Sequence, residues 1–213
     1  MKKIFFLFLL GTVLFLSSCS SFDIYKDVIY KTVEIECQNE YLKSSATGTL
    51  ISKDGHIITN KHVVQDFITN STIKAVFINE EEYDAEIQYV STEYDLCLLK
   101  IEKKTDCFSK WSEAFDVGQE VCTIGNSNGY GLALSKGIIS SYYKNVIYKG
   151  ESIFSIQTSI EIYDGSSGGP LFNTKGELLG IMTFRIRDNG AYIPGMSFAI
   201  PTKIIKEFIR EIM

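Results

Sequence analysis

Short runs of alternating apolar and polar residues occupy most of the chain, a pattern typical of half-buried β-strands. The first run is clear, because Val33, Ile35 and Cys37 alternate with polar side chains. Two apolar runs, residues 49–51 and 57–59, flank a Lys-Asp-Gly sequence that is typical of a hairpin turn. Further strands are predicted over residues 73–79, 83–90, 96–101, 120–124, 132–141, 152–158, 170–172, 178–184 and 196–200. These twelve strands fall into two groups of six, spaced as in β-barrels or β-sandwiches.

Two segments depart from the strand pattern. Residues 102–116 are polar and predict a connector between the two groups of strands. After Pro201, apolar residues recur at helical spacing and predict a C-terminal helix over about 202–212, packed on a barrel. We therefore predict an all-β domain over 28–213, with its first group of strands at about 28–104 and its second at about 117–201.

The amino terminus has the pattern of an export signal. Two lysines precede residues 4–16, an apolar run of thirteen residues broken by Gly11 and Thr12. This length lies within the roughly 7–15 residues of a secretory signal and is short of the about 20 needed to span a membrane. The following Leu-Ser-Ser-Cys sequence resembles a bacterial lipobox, in which Cys19 is lipidated and becomes the first residue of the mature chain.

We therefore predict a lipoprotein signal peptide over residues 1–18 and a tether over 19–27. The lipid on Cys19 would anchor the protein to a membrane of the cell envelope, on the extracytoplasmic side. The alternative is a conventional signal peptide that is cleaved without lipidation.

Composition limits the classes of partner. The 213-residue chain is 45% apolar and 22% charged, as in globular proteins. It has 21 basic and 26 acidic residues, and loss of residues 1–18 leaves 19 against 26, a formal charge of −7. Basic residues occur at most as adjacent pairs, so the chain lacks the basic face of a nucleic-acid-binding protein and we expect no nucleic-acid partner.

Four cysteines remain after signal removal. Cys37, Cys97 and Cys122 take apolar positions in strand patterns and are interpreted as small buried side chains. Cys107 lies in the connector and lacks that explanation. Export would permit disulfides, and whether these four residues form any stays open. The cysteine and histidine spacing does not match a zinc site, and we expect neither a metal ion nor a cofactor.

A serine set among glycines carries the candidate chemistry. The chain reads Gly165-Ser166-Ser167-Gly168-Gly169, and glycine allows a turn in which the amides of Gly165 and Ser167 point at one spot. Such a pair of N–H groups stabilises the oxyanion formed in acyl transfer.

A serine hydroxyl needs a base before it becomes nucleophilic, and the chain has two histidines. His62 follows a predicted strand, whereas His56 lies in a hairpin tip and is interpreted as solvated. Asp95 stands before a strongly apolar strand, where a buried carboxylate needs a partner, so it is the candidate acid that orients His62.

These segments together resemble the chymotrypsin-fold (trypsin-like) serine proteases, and most closely their HtrA/Deg branch. The matching motifs lie at residues 48–64, 94–101, 117–126, 137–140, 156–158, 165–170 and 197–201. The resemblance implies two six-stranded antiparallel β-barrels with His62, Asp95 and Ser167 as a triad, and with the Gly165 and Ser167 amides as the oxyanion hole. It also implies an extended substrate bound beside the second barrel, for which we predict as main-chain partners Ile181, Met182, Thr183 and Phe184.

The chain departs from the family pattern near the serine. Ser166 replaces the usual asparagine, Asp164 a frequent proline, and Ser159 a frequent aspartate. Glu161 lies six residues before Ser167, a position that lines the specificity pocket in many relatives. A carboxylate there would favour basic side chains before the cleaved bond, the alternatives being surface exposure of Glu161 or a preference for small apolar side chains. We expect no PDZ domain after residue 213.

The predicted function is a lipid-anchored serine endopeptidase that cleaves unfolded or regulatory proteins outside the cytoplasm. The alternative is a catalytically silent binding or chaperone module tethered to the membrane. The sequence does not indicate the natural substrate or the oligomeric state.

Overall fold

The computed structural model describes residues 21–148 and 150–212 of the chain. The predicted signal peptide and the predicted lipid site at Cys19 lie outside the described residues. None of the helices in the described ranges is long and apolar enough to cross a membrane.

The first six strands form a closed antiparallel barrel, here called barrel one. Its order is β1-β2-β3-β6-β5-β4, closed by pairing between β1 and β4. The alternating side chains of β1 explain the pairing, since Val33, Ile35 and Cys37 are buried in the barrel core. The strands are β1 (Thr32–Gln38), β2 (Lys43–Leu50), β3 (His56–Thr59), β4 (Thr72–Val76), β5 (Glu82–Val90) and β6 (Cys97–Ile101).

The other six strands form a second closed antiparallel barrel, barrel two, in the order β10-β11-β12-β9-β8-β7. Pairing between β10 and β7 closes it. The strands are β7 (Glu120–Asn126), β8 (Leu132–Tyr148), β9 (Glu151–Thr158), β10 (Pro170–Asn173), β11 (Leu178–Asp188) and β12 (Ala191–Pro201). The prediction of an all-β chain with two six-stranded antiparallel barrels is confirmed.

Two hairpins of barrel two are longer than the sequence pattern predicts. Strand β8 continues to Tyr148 and pairs with β9, while β11 continues to Asp188 and pairs with β12. Most of the extra residues are exposed or half-buried, so they carry little of the alternation that identifies a strand in the sequence. Backbone pairing between the two arms of each hairpin supports these extensions instead.

Helices at both ends of the chain pack between the barrels. The C-terminal helix, α3 (Thr202–Ile212), is confirmed, and it buries Ile205 and Phe208. A helix that the sequence analysis missed, α1 (Ser21–Val28), lies where we predicted a tether and buries Ile24 and Val28. Both helices join one apolar cluster with residues of the two barrels, including Ile58, Leu96, Ile124 and Phe172. This shared cluster holds the barrels together and so positions any site between them.

All four described cysteines are free thiols. Cys37, Cys97 and Cys122 are buried, in agreement with their interpretation as core residues, and Cys107 is half-buried. Burial raises the pKa of both the Cys37 and the Cys97 thiols to about 12. These two thiols are therefore protonated at neutral pH and unreactive as nucleophiles.

Candidate active site

His62 and Asp95 meet at the face of barrel one that is turned towards barrel two. His62 lies in a one-turn helix, α2 (Lys61–Val64), that follows β3, and Asp95 lies just before β6. Because β3 and β6 are paired, the two residues come together although 33 positions separate them. The distance from His62 Nδ1 to Asp95 Oδ2 is 2.7 Å, and the His62 amide donates to Asp95 Oδ1 at 2.9 Å.

Asp95 is held as an anion by its hydrogen bonds. Burial by itself would raise the pKa of this carboxyl, and only 14% of the side chain is exposed. The side-chain and backbone hydrogen bonds from His62, together with the hydroxyl of Thr183 at 2.9 Å, outweigh burial and hold the pKa of Asp95 below its usual value. The carboxylate therefore fixes the proton of His62 on Nδ1 and leaves Nε2 free to accept one.

Ser167 lies in the loop between β9 and β10 and faces the same cleft as His62. Its hydroxyl donates to the carbonyl of Thr183 at 3.1 Å. Thr183 thus contacts two of the three predicted triad residues, through its hydroxyl to Asp95 and its carbonyl to Ser167. The sequence analysis named Thr183 as a main-chain partner of substrate and missed this positioning role.

Two backbone N–H groups of the loop that contains Ser167 are candidates for an oxyanion hole. Within the described part of the chain, the amides of Gly165 and Ser167 have no hydrogen-bond acceptor. The carbonyl of Asp164 accepts the Asn128 amide at 2.6 Å, and since C=O and N–H of a trans peptide point in opposite directions, the Gly165 N–H faces away from Asn128. Gly165 has φ +94, a conformation that favours glycine.

Two threonines of β2 hold the serine loop against barrel one. Thr47 donates its amide to the Ser167 carbonyl at 3.0 Å and its hydroxyl to the Gly165 carbonyl at 2.7 Å. Thr49 donates its hydroxyl to the Gly168 carbonyl at 2.9 Å. The sequence analysis missed both residues. Their signal was two hydroxyl side chains, both fully buried, that alternate with small and apolar residues in one strand.

Ser166 stands where the HtrA/Deg branch usually has asparagine, and it is 2% exposed. Its hydroxyl lies 3.0 Å from the hydroxyl of Ser127 and accepts the Tyr163 amide at 3.1 Å. The short Ser166 side chain therefore links the serine loop to the segment after β7. It also links two positions within the loop, and it introduces no charge.

The other predicted site residues fall in different places. The backbone of Met182 is already bonded to Gly168 and Gly169, and Ile181 is paired with Pro170 on one side and Ile200 on the other. These two residues are therefore closed to a substrate strand, whereas Thr183 and Phe184 line the cleft.

Glu161 and His56 both lie outside the residues that line the cleft. The exposed Glu161 carboxylate accepts the Gly195 amide at 3.1 Å. His56 was interpreted as solvated, but it is half-buried, with Nδ1 2.7 Å from the Ser52 hydroxyl. Burial, followed by the positive charge of Lys100, lowers the pKa of His56.

The cleft has a volume of about 580 Å³. One wall is formed by Ile147 and Tyr148 of the long β8–β9 hairpin, and Tyr148 stacks on Phe184 at 4.2 Å between ring centroids. Residues that the sequence analysis did not connect with the site also line it, namely Ile162, Tyr163, Arg185, Ile186, Arg187 and Tyr192.

Comparison with known proteins agrees with the two-barrel fold. Residues 46–181 match the family described as trypsin-like peptidase domain. A probable periplasmic serine endoprotease DegP-like of Chlamydia muridarum is 32% identical over 169 residues, 78% of this chain and 33% of that protein. The serine endoprotease DegS of Haemophilus influenzae is 36% identical over 175 residues, 78% of this chain and 49% of that protein. The chain thus spans a third to a half of the length of these relatives.

A solved structure, described as HtrA-type protease AlgW with tripeptide, superimposes with a TM-score of 0.80 at 28% identity. The superposition covers 89% of this chain and 62% of that one. The family match, the relatives and the shared fold show that the chain belongs to the trypsin-like peptidases, within the HtrA/DegP type of serine proteases.

Proposed function

We propose that this chain is an extracytoplasmic serine endopeptidase that cleaves unfolded or regulatory proteins through an acyl-enzyme. One observation carries the proposal: a histidine bonded to a buried carboxylate shares a cleft with a serine beside two amides that lack acceptors among the described residues. A binding module has no need of that combination. The similarity to serine endoproteases, and to a relative solved with a tripeptide, supports peptide bonds as the target.

The geometry supports a defined order of events. The Ser167 hydroxyl turns from the Thr183 carbonyl towards His62 Nε2, which takes its proton as Oγ attacks the substrate carbonyl. The developing oxyanion is bound by the Gly165 and Ser167 amides. The imidazolium, stabilised by Asp95, then protonates the leaving amine, and a water activated by the same histidine hydrolyses the ester.

Substrate would bind along the free edge of β11 that begins at Thr183. Up to Ile181 this edge is paired with β10, and from Thr183 onward no described strand pairs with it. An extended peptide added there would gain main-chain hydrogen bonds beside the serine. This places the substrate strand further along β11 than the sequence analysis predicted.

Labelling with a fluorophosphonate probe tests the proposed activity, because such probes react with an activated serine. We expect the wild-type protein to be labelled and the Ser167→Ala variant to show no signal above background. A Ser109→Ala variant is the matched control and is expected to keep its label, since Ser109 is exposed in the connector and lies outside the cleft. Absence of label on folded wild-type protein would instead favour the silent binding or chaperone module.

We also propose that the protein is exported and anchored through a lipid on Cys19. The lipobox-like sequence supports this, as does the description of relatives as periplasmic. We expect a Cys19→Ala variant to lose labelled palmitate and to leave the membrane fraction. The readouts are metabolic labelling and fractionation, with Cys107→Ala as the control. Undiminished membrane association and lipid label in Cys19→Ala would disprove the anchor.

A further inference from the structure

The part of the cleft beside Ser167 contains a buried arginine. The exposed fraction of Arg185 is 7%, although the residue lines the cleft together with Ser167. Arg185 follows Thr183 by two positions in β11, about 7 Å along a strand. Thr183 in turn lies next to Ser167, whose hydroxyl donates to the Thr183 carbonyl.

Two tyrosine rings hold the guanidinium. Its central carbon lies 3.3 Å from the ring centroid of Tyr192 and 4.7 Å from that of Tyr163. We call this arrangement the Tyr163–Arg185–Tyr192 stack. Cation–π contacts of this kind stabilise a desolvated cation and fix the plane of the guanidinium, but they leave its N–H donors unused.

The two carboxylates nearest to Ser167 in sequence, Asp164 and Glu161, are bonded to groups other than Arg185, although Asp164 also lines the cleft. Asp164 accepts the hydroxyl of Tyr192 at 3.0 Å, and the same hydroxyl accepts a hydrogen bond from Arg187. The hydrogen bond to Tyr192 and, to a smaller extent, the negative charge of Asp164 raise the pKa of Arg187. The Glu161 carboxylate is turned to the amide of Gly195. Among the described residues no carboxylate forms an ion pair with Arg185, whose contacts there are to the two rings.

A buried cation without an anionic partner is unfavourable, and an arginine fork matches a carboxylate in two parallel hydrogen bonds. Ile162, Tyr163 and Arg185 line the same cleft as Ser167, the residue that would attack the substrate carbonyl. We propose that the part of the cleft lined by Ile162, Tyr163 and Arg185 is the specificity pocket, and that Arg185 selects substrates with aspartate or glutamate immediately before the cleaved bond.

This inference rests on the proposed function and gives it a substrate class. It also reverses the charge preference expected from Glu161, because Glu161 lies outside the cleft, whereas two arginines, Arg185 and Arg187, line it together with one carboxylate, Asp164. Arg185 is thus proposed as a specificity-determining residue that contacts substrate, while Tyr163 and Tyr192 position it.

The test compares peptidyl diphenyl phosphonates that carry Glu, Asp, Val or Lys before the reactive phosphorus. Ser167 displaces phenol from such a probe, and the rate constant of inactivation measures how well the pocket accepts the side chain of the probe. We expect the acidic probes to react fastest and Arg185→Ala to slow them at least about 30-fold, as for loss of one partner of a buried charge pair. The Val probe should change by less than about threefold.

Two further variants separate pocket chemistry from folding and overall charge. Arg185→Lys keeps the charge but loses the planar fork, and is expected to retain part of the acidic preference. Arg210→Ala, on the exposed side of α3, removes one positive charge outside the cleft and should leave all rates unchanged. Fastest reaction of the Val or Lys probe, or an acidic preference that persists in Arg185→Ala, would overturn the inference.

A binding measurement makes the result independent of turnover. On the Ser167→Ala protein, calorimetry compares uncleaved peptides that differ only by Glu or Gln at the proposed position. We expect the Glu peptide to bind at least about tenfold more tightly, and Arg185→Ala to abolish the difference. If fluorophosphonate fails to label the wild-type protein while the Glu preference remains, the proposed catalytic function is disproved and the proposed acid-binding pocket is supported. Equal affinities would overturn the pocket.

Discussion

The Asp95→Asn variant is expected to lose about 10,000-fold in kcat/KM for peptide hydrolysis while its fold is retained. An asparagine side chain would keep the shape of the carboxylate and could still accept the His62 amide. Its NH₂ group, however, would face His62 Nδ1 and select the tautomer with the proton on Nε2. That tautomer cannot accept the proton of Ser167, so the nucleophile would not be activated.

The difference in stability between the wild-type protein and Asp95→Asn is expected to depend on pH. The pKa of Asp95 is lowered in the folded protein from an ordinary value near 3.8, so the unfolded chain binds this proton more readily. The stabilisation from ionised Asp95 is therefore fully present above about pH 4 and is lost as pH falls through the lowered folded pKa. Urea unfolding should show the difference between wild type and Asp95→Asn shrinking over that acidic range.

Asp84→Asn is the matched control for both measurements. Asp84 is exposed on β5 and contacts none of the residues around Ser167. Its kcat/KM should stay within about twofold of wild type, the size expected for a surface change away from special features. An Asp95→Asn protein that cleaves peptides at the wild-type rate would show that His62 does not depend on this carboxylate.

The Gly165→Ala variant is expected to lose about 100-fold to 1,000-fold in kcat, the effect of removing one oxyanion-hole donor. A Cβ at this position would lie 2.1 Å from the Asn126 carbonyl oxygen, and φ is +94. The clash can be relieved by rotating the Asp164–Gly165 peptide, which breaks the hydrogen bond from Asn128 and turns the residue 165 amide out of the cleft. KM should change much less than kcat, because the transition state alone carries the oxyanion charge.

Gly118→Ala separates backbone strain from the loss of the donor. Gly118 also has positive φ, +88, but a Cβ there meets nothing within 4 Å. This variant carries similar strain of about 1 kcal/mol or more and should keep its kcat within about threefold. Circular dichroism and thermal melting would confirm that both variants are folded. Wild-type kcat in folded Gly165→Ala would contradict the role assigned to the Gly165 amide.

The sequence predicted the barrels well where strands are half-buried, because alternation of apolar and polar residues reports burial. The sequence predicted strands less well where backbone pairing, and not burial of side chains, stabilises them. The ends of β8 and β11 are exposed arms supported by the opposite strand of the same hairpin, and no local pattern marks them. Helix α1 was missed because eight residues give only about two turns of helical pattern, and the cluster they fill is built from distant parts of the chain.

For the site, the sequence by itself determined which side chains have the required chemistry. His62, Asp95 and Ser167 each lie in a short motif in which the neighbouring glycines or apolar residues are close in sequence. Tertiary structure alone decided what surrounds them. Arg185 looks like an ordinary residue of an exposed strand end. The extended β11–β12 hairpin brings Tyr192 to it, and the loop before Ser167 brings Tyr163. The physical reason is that burial of a charge depends on contacts between distant segments, which a linear pattern does not contain.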